Sequence, residues 1–215
     1  MATPQERFVE ALKVLKAIQD EGVVAIHTDN IPSRAYREIL VKNGFLKEVT
    51  KGWYLSADPG AQPGDTTPWY SSYWEFCAEF LENKYGETWC LSADQSLMIH
   101  AGNWSVPAQL FVRSPNGNNK PTPLPHHMSL FNMKAEIPGN GQMVVEKGIR
   151  MYNLQASLIY STAGVYSGNG IDARTALSLI RDASELLPVL LEKGHTTIGG
   201  RLAGAFRNIQ RDRIA

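Results

Sequence analysis

Residues 31–55, IPSRAYREILVKNGFLKEVTKGWYL, decide the fold of the N-terminal part of the chain. Ser33 is a helix-start signal, because its hydroxyl can accept a hydrogen bond from a free N–H of the first turn. A short helix follows and ends at Asn43-Gly44, a pair that favours the left-handed conformation. Two short apolar strands, FLKEV and WYL, then flank a turn at residues 50–52. A short helix followed directly by a β-hairpin is the second half of a winged helix-turn-helix.

This helix has two different faces. Tyr36, Ile39 and Leu40 share one face and are expected to pack inward. The outward face and the hairpin carry the five basic residues of the stretch: Arg34, Arg37, Lys42, Lys47 and Lys51. Two acids, Glu38 and Glu48, accompany them, so five minus two leaves a local charge of +3 in a chain whose total is zero. The local charge indicates a DNA-binding element.

Both parts of this element are expected to contact double-stranded operator DNA. A recognition helix reads bases in the major groove from its N-terminal half, while basic side chains and backbone N–H groups bind phosphates. The hairpin lysines would meet the flanking phosphates or the minor groove. The candidate DNA-binding residues are Ser33, Arg34, Tyr36, Arg37, Lys42, Lys47 and Lys51.

Composition is that of an ordered globular protein large enough for two small domains. The chain has 215 residues, of which 43% are apolar and 20% charged. Its zero net charge argues against strong non-specific DNA binding, although a locally basic face suffices for specific binding. Cys77 and Cys90 lie in apolar sequence and are expected to be reduced core residues. Because no leader or apolar run of membrane-spanning length is present, we expect a cytoplasmic protein without membrane contact.

The chain is predicted to divide into four segments and to belong to the α+β class. Residues 1–58 form the winged helix-turn-helix domain, and residues 59–68 are a linker rich in proline and glycine. Residues 69–152 form a small mixed α+β domain. Residues 153–215 form a C-terminal helical segment.

Helix and strand signals continue through the rest of the chain. Capping boxes mark helix starts at residues 3–6 and 92–95. An aromatic stripe on residues 68–86 predicts a helix whose rings are core. The strand candidates are residues 88–91, 109–113, 129–133 and 143–152, with a loop at 115–125. The predicted C-terminal helices are residues 154–166, 173–193 (capped by Asp172, with a bend at Pro188) and 195–214.

No catalytic arrangement is complete in the sequence, and we expect no enzyme activity, no cofactor and no metal. His126-His127 would face opposite ways on a strand, so solvated loop histidines are favoured. A magnesium-dependent nuclease needs acids and a lysine at one sheet edge, but Asp94 with Glu146-Lys147 lacks the required spacing. The GNG segments at 139–141 and 168–170 lack the surroundings of a phosphate-binding loop.

The order of elements resembles the AbiEi-type antitoxin and transcriptional-regulator family. The resemblance rests on the hairpin residues Gly44-Phe45-Leu46, Val49, Gly52 and Tyr54, and on the strand–helix segment at 91–102. It covers residues 5–160. It implies a winged helix on operator DNA and a second domain that binds a partner such as a toxin. Whether the protein is a homodimer is left open.

The C-terminal part, from GNGIDARTALSLIRDASELL onward, is similar to the segment that joins such a module to the catalytic domain of long Fic proteins, which transfer AMP to hydroxyl groups. The Fic signature H-P-F-x-x-G-N-G-R and the family's inhibitory helix are absent, so this resemblance implies a regulatory module with a Fic-domain partner. The last helix has no stop signal, and we expect the natural chain to continue past Ala215.

Three functions follow from these patterns. The favoured one is a DNA-binding transcriptional regulator of the antitoxin type. The alternative is a protein-interaction or regulatory module of a Fic-type AMP transferase that does not bind DNA itself. The third, a metal-dependent nuclease that would use Asp94, is the least favoured.

Overall fold

A computed structural model describes residues 3–62, 64–192 and 196–215 of the chain. Helix accounts for 49% of it and strand for 18%, so the predicted α+β class is confirmed. The chain divides into two compact units, Met1–Gly86 with Pro121–Leu130, and Glu87–Lys120 with Phe131–Ala215. Among the helices that the structure describes, none combines the length and the apolar composition needed to cross a bilayer.

The first unit contains two long helices, one short helix and a small antiparallel sheet. Its elements are α1 (Pro4–Asp20), β1 (Ile26–His27), a 3-10 turn (Thr28–Asn30), α2 (Arg34–Lys42), β2 (Leu46–Thr50), β3 (Trp53–Ser56) and α3 (Thr67–Tyr85). The sheet order is β1-β3-β2, so the second strand of the hairpin lies in the middle. Both of its neighbours run antiparallel to it.

The predicted helix boundaries of this region are confirmed by their caps. The Thr3 hydroxyl accepts a bond from the Glu6 N–H at 3.2 Å, and the Glu6 carboxylate accepts from the Thr3 N–H at 2.7 Å. The Ser33 hydroxyl accepts from the Tyr36 N–H at 3.2 Å at the start of α2. Gly44 has φ 78° after α2, the left-handed conformation that suits glycine. Local chemistry therefore sets both helix starts and the end of α2.

Strand β3 is buried on both of its faces. Tyr54 points into a core that α1, α2 and β2 build from Leu15, Leu40, Leu46 and their neighbours. The adjacent Trp53 points to the opposite face, as successive strand residues must. There its ring meets Phe80 and Phe76 of α3, at centroid distances of 5.1 and 6.5 Å. Both side chains are only 8% exposed, so α3 covers the side of the sheet that α1 and α2 leave open.

A carboxylate from α3 also binds the chain between α1 and β1. Both oxygens of Glu79 accept from the Val24 N–H, at 2.9 and 3.2 Å, and one accepts from the Ala25 N–H at 2.7 Å. Helix α3 therefore belongs to the first unit, whereas the predicted boundary at residues 59–68 placed it with the second domain. Pro63 of that predicted linker lies outside the described residues.

The second unit contains short strands followed by helices. The strands in the remainder of the chain are β4 (Cys90–Leu91), β5 (Gln109–Ser114), β6 (Lys120–Pro123), β7 (Ser129–Lys134), β8 (Met143–Glu146) and β9 (Ile149–Tyr152). One sheet has the order β4-β5-β7-β6, and β8 with β9 forms a separate hairpin. The division between the units passes through β6 and β7, since Pro121–Leu130 is grouped with the first unit.

Two strand predictions are corrected. Residues 143–152, predicted as one strand, form a hairpin because Lys147 and Gly148 both have positive φ and reverse the chain. The predicted loop at 115–125 contains strand β6. This strand was not predicted because the prolines of its sequence KPTP argue against a strand. His126 and His127 are exposed in the loop after it, as predicted.

Helix α4 (Ala93–His100) begins with only half of its predicted capping box. The Ser92 hydroxyl accepts from the Gln95 N–H at 3.2 Å, as expected. The return bond from the Gln95 side chain to the Ser92 N–H is not formed, because that N–H donates to the Phe111 carbonyl oxygen at 2.9 Å and continues the sheet. The Gln95 carboxamide therefore does not take part in capping α4.

The helical end is more broken than predicted. Its helices are α5 (Leu154–Tyr160), α6 (Ala163–Gly168), α7 (Gly170–Leu179), α8 (Leu187–Glu192) and α9 (Thr196–Asn208). Asp172 is not a cap but accepts a bond from Asn103 at 2.8 Å. The long helix breaks before Asp182, which forms a capping box with Glu185, and Pro188 lies in the first turn of α8. The predicted helix ends at Lys193 and His195 lie outside the described residues.

Both cysteines are free and buried, as the sequence predicted. Burial raises the pKa of Cys77 and of Cys90 to about 12. Their thiols therefore stay protonated at neutral pH and serve as small apolar core groups.

Replacing Glu79 with alanine should lower the free energy of unfolding of the first unit by about 1–3 kcal/mol, because two backbone N–H groups lose their acceptor. Chemical denaturation followed by tryptophan fluorescence measures the change. Glu75→Ala, at an exposed site on the same helix, is the matched control and should have little effect. Equal stability of the two variants would show that Glu79 does not hold α3 in place.

Candidate nucleic-acid interface

Helix α2 presents one apolar face to the core and one mixed polar face outward. Leu40 is fully buried, and Tyr36 and Ile39 are half-buried against the same core. Arg34 and Lys42 are exposed, and Arg37 is half-exposed at the edge. The predicted division of the helix is therefore confirmed. Tyr36, also a candidate DNA contact, lies mainly on the inward face.

An acid occupies the outward face beside the basic residues. Arg34 donates from Nε to a Glu38 carboxylate oxygen at 2.6 Å, one turn along the helix. This bond raises the pKa of Arg34, which stays charged in any case. Both side chains are highly exposed, 81% and 60%, so the pair is worth little in water and can open when a phosphate or base competes for the arginine.

Arg37 lies next to the hairpin. Burial raises the pKa of the Tyr54 hydroxyl, the Glu48 carboxylate raises it further, and the positive charge of Arg37 opposes the rise. Glu48 also accepts from the Gly52 N–H at 3.1 Å, so this acid is used in the hairpin turn. Arg37 of α2 therefore lies close enough to Tyr54 of the hairpin for its charge to act on that hydroxyl.

The hairpin turn is fixed by glycine and by the segment before α2. Gly52 has φ 79°, and its carbonyl oxygen accepts from the Thr28 N–H at 2.9 Å and from the Thr28 hydroxyl at 3.0 Å. A β-bulge between Glu48 and Thr50 adds to the irregularity of the turn. Lys51 is exposed at its tip. The lysine is therefore carried by a turn of defined geometry.

Lys51 shares a hollow of about 330 Å³ with groups that the sequence did not single out. Its other lining residues include His27, Asn83 and Lys84. Lys84 is an exposed residue whose ammonium lies 5.1 Å from the centre of the Tyr85 ring and 5.5 Å from that of Phe80, and partial desolvation by these neighbours lowers its pKa. The sequence pattern places α3 in another domain and so does not predict that Lys84 lies near the hairpin. The aromatic stripe of α3 is the only sequence signal for this contact.

Lys47, by contrast, lies near acidic residues. It lines a largely apolar hollow of about 320 Å³ together with Asp58 and Asp65. The Asp65 carboxylate accepts from the Thr67 N–H, and this bond lowers its pKa, so it is ionised at neutral pH. Of the two hairpin lysines, Lys51 is the better placed to meet a phosphate.

Asp94, the residue considered for nuclease chemistry, forms hydrogen bonds within the second unit. Asp94 accepts from the Thr162 N–H at 2.7 Å and from the Thr162 hydroxyl at 2.8 Å. Within the described parts of the chain, no three His, Cys, Asp or Glu side chains come together as a metal site would require. The His126 ring stacks on the ring of Tyr70, with the ring centroids 6.1 Å apart.

Comparison with protein-family models and with curated protein sequences finds no match to this chain. The function therefore has to be argued from the residues and their geometry alone.

Replacing Gly52 with alanine should destabilise the hairpin by about 1–2 kcal/mol, because φ near +79° disfavours a Cβ and that atom would lie 3.3 Å from the Thr28 hydroxyl. Urea denaturation measures the loss. Gly200→Ala, at an exposed helical site with open space around it, should be neutral or stabilising. A Gly52→Ala protein as stable as wild type would mean that the turn adapts freely.

Proposed function

We propose that residues 3–56 form a winged helix that binds double-stranded DNA, with α2 as the recognition helix and the β2–β3 hairpin as the wing. The observation that supports this most directly is the grouping of exposed and partly exposed basic side chains on these two elements. Arg34, Arg37 and Lys42 lie on α2, and Lys51 lies at the hairpin tip. The chain would act as a transcriptional regulator of the antitoxin type, in line with its resemblance to the AbiEi-type family.

The contacts would divide by their position on the element. Ser33 and Arg34 lie in the first turn of α2, where a recognition helix usually meets base edges. Arginine suits this role because its guanidinium can donate two parallel bonds to guanine. Lys42, Lys51 and the neighbouring Lys84 would contact phosphates, which gives affinity without sequence preference.

The local positive charge lies on the face formed by α2 and the hairpin, and this affects how DNA would bind. Because the whole chain has zero net charge, attraction at long range is weak and the contacts must come from the basic face itself. Binding should then depend on salt with a slope set by the few phosphates that are neutralised.

The double variant Arg34→Ala/Arg37→Ala should weaken binding to a cognate operator by roughly 1–3 kcal/mol for each base-reading arginine and relax its sequence preference. Lys51→Ala should instead weaken binding to all sequences and reduce the salt slope by about one. Operator fragments can be selected from a random DNA pool, and fluorescence anisotropy at several salt concentrations then gives both quantities.

The matched control for the double variant is Arg181→Ala/Arg207→Ala, which removes the same charge from exposed sites in the second unit. It should leave the affinity and the salt slope nearly unchanged. If the two double variants behaved alike, or if wild type enriched no DNA sequence, α2 would not be a recognition helix.

A second candidate function has one specific observation in its favour. Glu38 lies on the outward face of α2 and already pairs with Arg34, an arrangement that suits a protein-binding surface as well as a DNA-binding one. In this alternative the first unit is a scaffold, and the chain is a regulatory module for a Fic-type AMP transferase or a toxin. The two candidates differ in how Glu38 should act.

If α2 faces DNA, Glu38→Gln should tighten binding about two- to fivefold, because it removes a negative charge near the phosphates and frees Arg34. The affinity of the variant for DNA at low salt is the measurement, and Glu75→Gln on α3 is the control. A weaker interaction with a co-purifying toxin or Fic-domain protein, together with unchanged DNA affinity, would favour the scaffold.

A further inference from the structure

The second unit contains a cleft of about 570 Å³, a size typical of small-molecule sites. It lies between the start of α4, one face of strand β5, and helices α5 and α6. Gln109, Phe111 and Arg113 alternate along β5 and line it together. The other lining side chains that matter are Gln95, Met98, Met133, Tyr152, Tyr160 and Asn169.

Gln95 is the most unusual group in this cleft. Its side chain is only 5% exposed, yet its carboxamide forms no hydrogen bond with any described residue. The fully buried side-chain atoms without a partner in the described chain do not include those of Gln95, so its carboxamide is open to the cleft, where a ligand can reach it. Its expected partner, the Ser92 N–H, is held by the Phe111 carbonyl oxygen.

The wall of the cleft around Gln95 is held by polar contacts. Asp94 uses both carboxylate oxygens to bind the N–H and the hydroxyl of Thr162, which places the start of α6 against the start of α4. The Asn169 amide lies 2.9 Å from the sulfur of Met98, a weak acceptor. A second amide of the cleft therefore has only a poor partner.

Arg113 supplies a positive charge. Its Nε and one terminal nitrogen donate to the Glu136 carbonyl oxygen at 3.3 and 3.1 Å. Among the described side chains no carboxylate pairs with it, so its remaining donors can meet an anion. Arg113, Tyr152 and Tyr160 also line a second hollow of about 510 Å³, so the guanidinium lies where the two hollows meet.

Aromatic side chains also line the cleft, and the ring of Phe111 is the exposed one among them. The Phe111 ring is 39% exposed and lies 5.7 Å from Phe131, and the Tyr152 and Tyr160 rings lie 5.7 Å apart. Burial raises the pKa of Tyr152 to about 12, so its hydroxyl remains a neutral hydrogen-bond group at physiological pH. Such surfaces favour stacking with a planar ring.

We propose that this cleft binds a planar heteroaromatic anion, whose ring lies against the aromatic side chains, whose polar edge pairs with the carboxamide of Gln95 and whose anionic group meets Arg113. A glutamine carboxamide offers one donor and one acceptor side by side, which matches the edge of a purine. Purine nucleoside monophosphates are therefore suitable probes. This site is separate from the DNA contacts proposed above and does not depend on them.

The experiment titrates AMP and GMP into the full chain and follows both the Tm and binding by isothermal calorimetry. We expect saturable binding of at least one nucleotide and a rise in Tm of several degrees at saturation. Adenosine and inorganic phosphate, each lacking one half of the probe, should bind much more weakly. Absence of saturable binding by both nucleotides at millimolar concentration would overturn the proposal.

Gln95→Met is the decisive variant because it keeps the shape of the side chain and removes the amide. It should weaken nucleotide binding by about tenfold or more, while its Tm without ligand stays equal to that of wild type or rises, since no internal hydrogen bond is lost. A lower Tm would mean that Gln95 is structural and would contradict the proposal.

Two further variants test whether Arg113 binds the nucleotide and whether the nucleotide binds instead at the basic face of the first unit. Arg113→Gln should weaken binding of the nucleotides, while Arg207→Gln, an exposed arginine of the same unit, should not. Arg34→Ala/Arg37→Ala should bind nucleotide like wild type. If this last variant lost nucleotide binding and Gln95→Met kept it, the probe would be occupying the basic face of the first unit, and the cleft would not be its site.

Discussion

The burial of strand β3 on both faces is the constraint on which the first unit depends. A two-stranded hairpin is marginally stable by itself in water, and a strand with large aromatic residues on both faces needs cover on each side. Tyr54 obtains that cover from α1 and α2, and Trp53 obtains it from α3. The hairpin is therefore an inner layer of the unit, and only its turn and its outer strand carry exposed lysines.

This arrangement has a direct effect on the basic surface. Since the Gly52 carbonyl is bound by Thr28 and the Gly52 N–H by Glu48, the turn that carries Lys51 is anchored to the segment before α2. The position of α2 is in turn set by Leu40 in the core and by the Ser33 cap. Because α2 and the hairpin turn are held by shared contacts, their basic side chains form one pre-organised surface, and a pre-organised surface loses less entropy when it binds a partner.

Local chemistry could be predicted from the sequence, and long-range packing could not. The Thr3 and Ser33 caps, the Gly44 stop and the buried thiols depend on residues a few positions apart or on composition. The place of α3 depends on which apolar surface remains uncovered after the hairpin forms, and one sequence does not state that. The sequence nevertheless indicated that β3 is covered on both faces, because WYL lacks the polar alternation of a strand with one solvated face.

The same contrast explains why the candidate cleft escaped prediction. Ser92 and Gln95 fit the capping-box pattern, and in isolation the Gln95 side chain would bond to the Ser92 N–H.

In the folded chain, strand β4 extends to Ser92 and its N–H pairs with Phe111 of β5, so the sheet takes the donor that the helix cap would have used. The Gln95 carboxamide is then left without a hydrogen-bond partner among the described residues, and it lines the cleft. Places where a local rule fails inside an otherwise consistent fold are often functional, and this failure leaves an amide in the wall of a cleft where a ligand can use it.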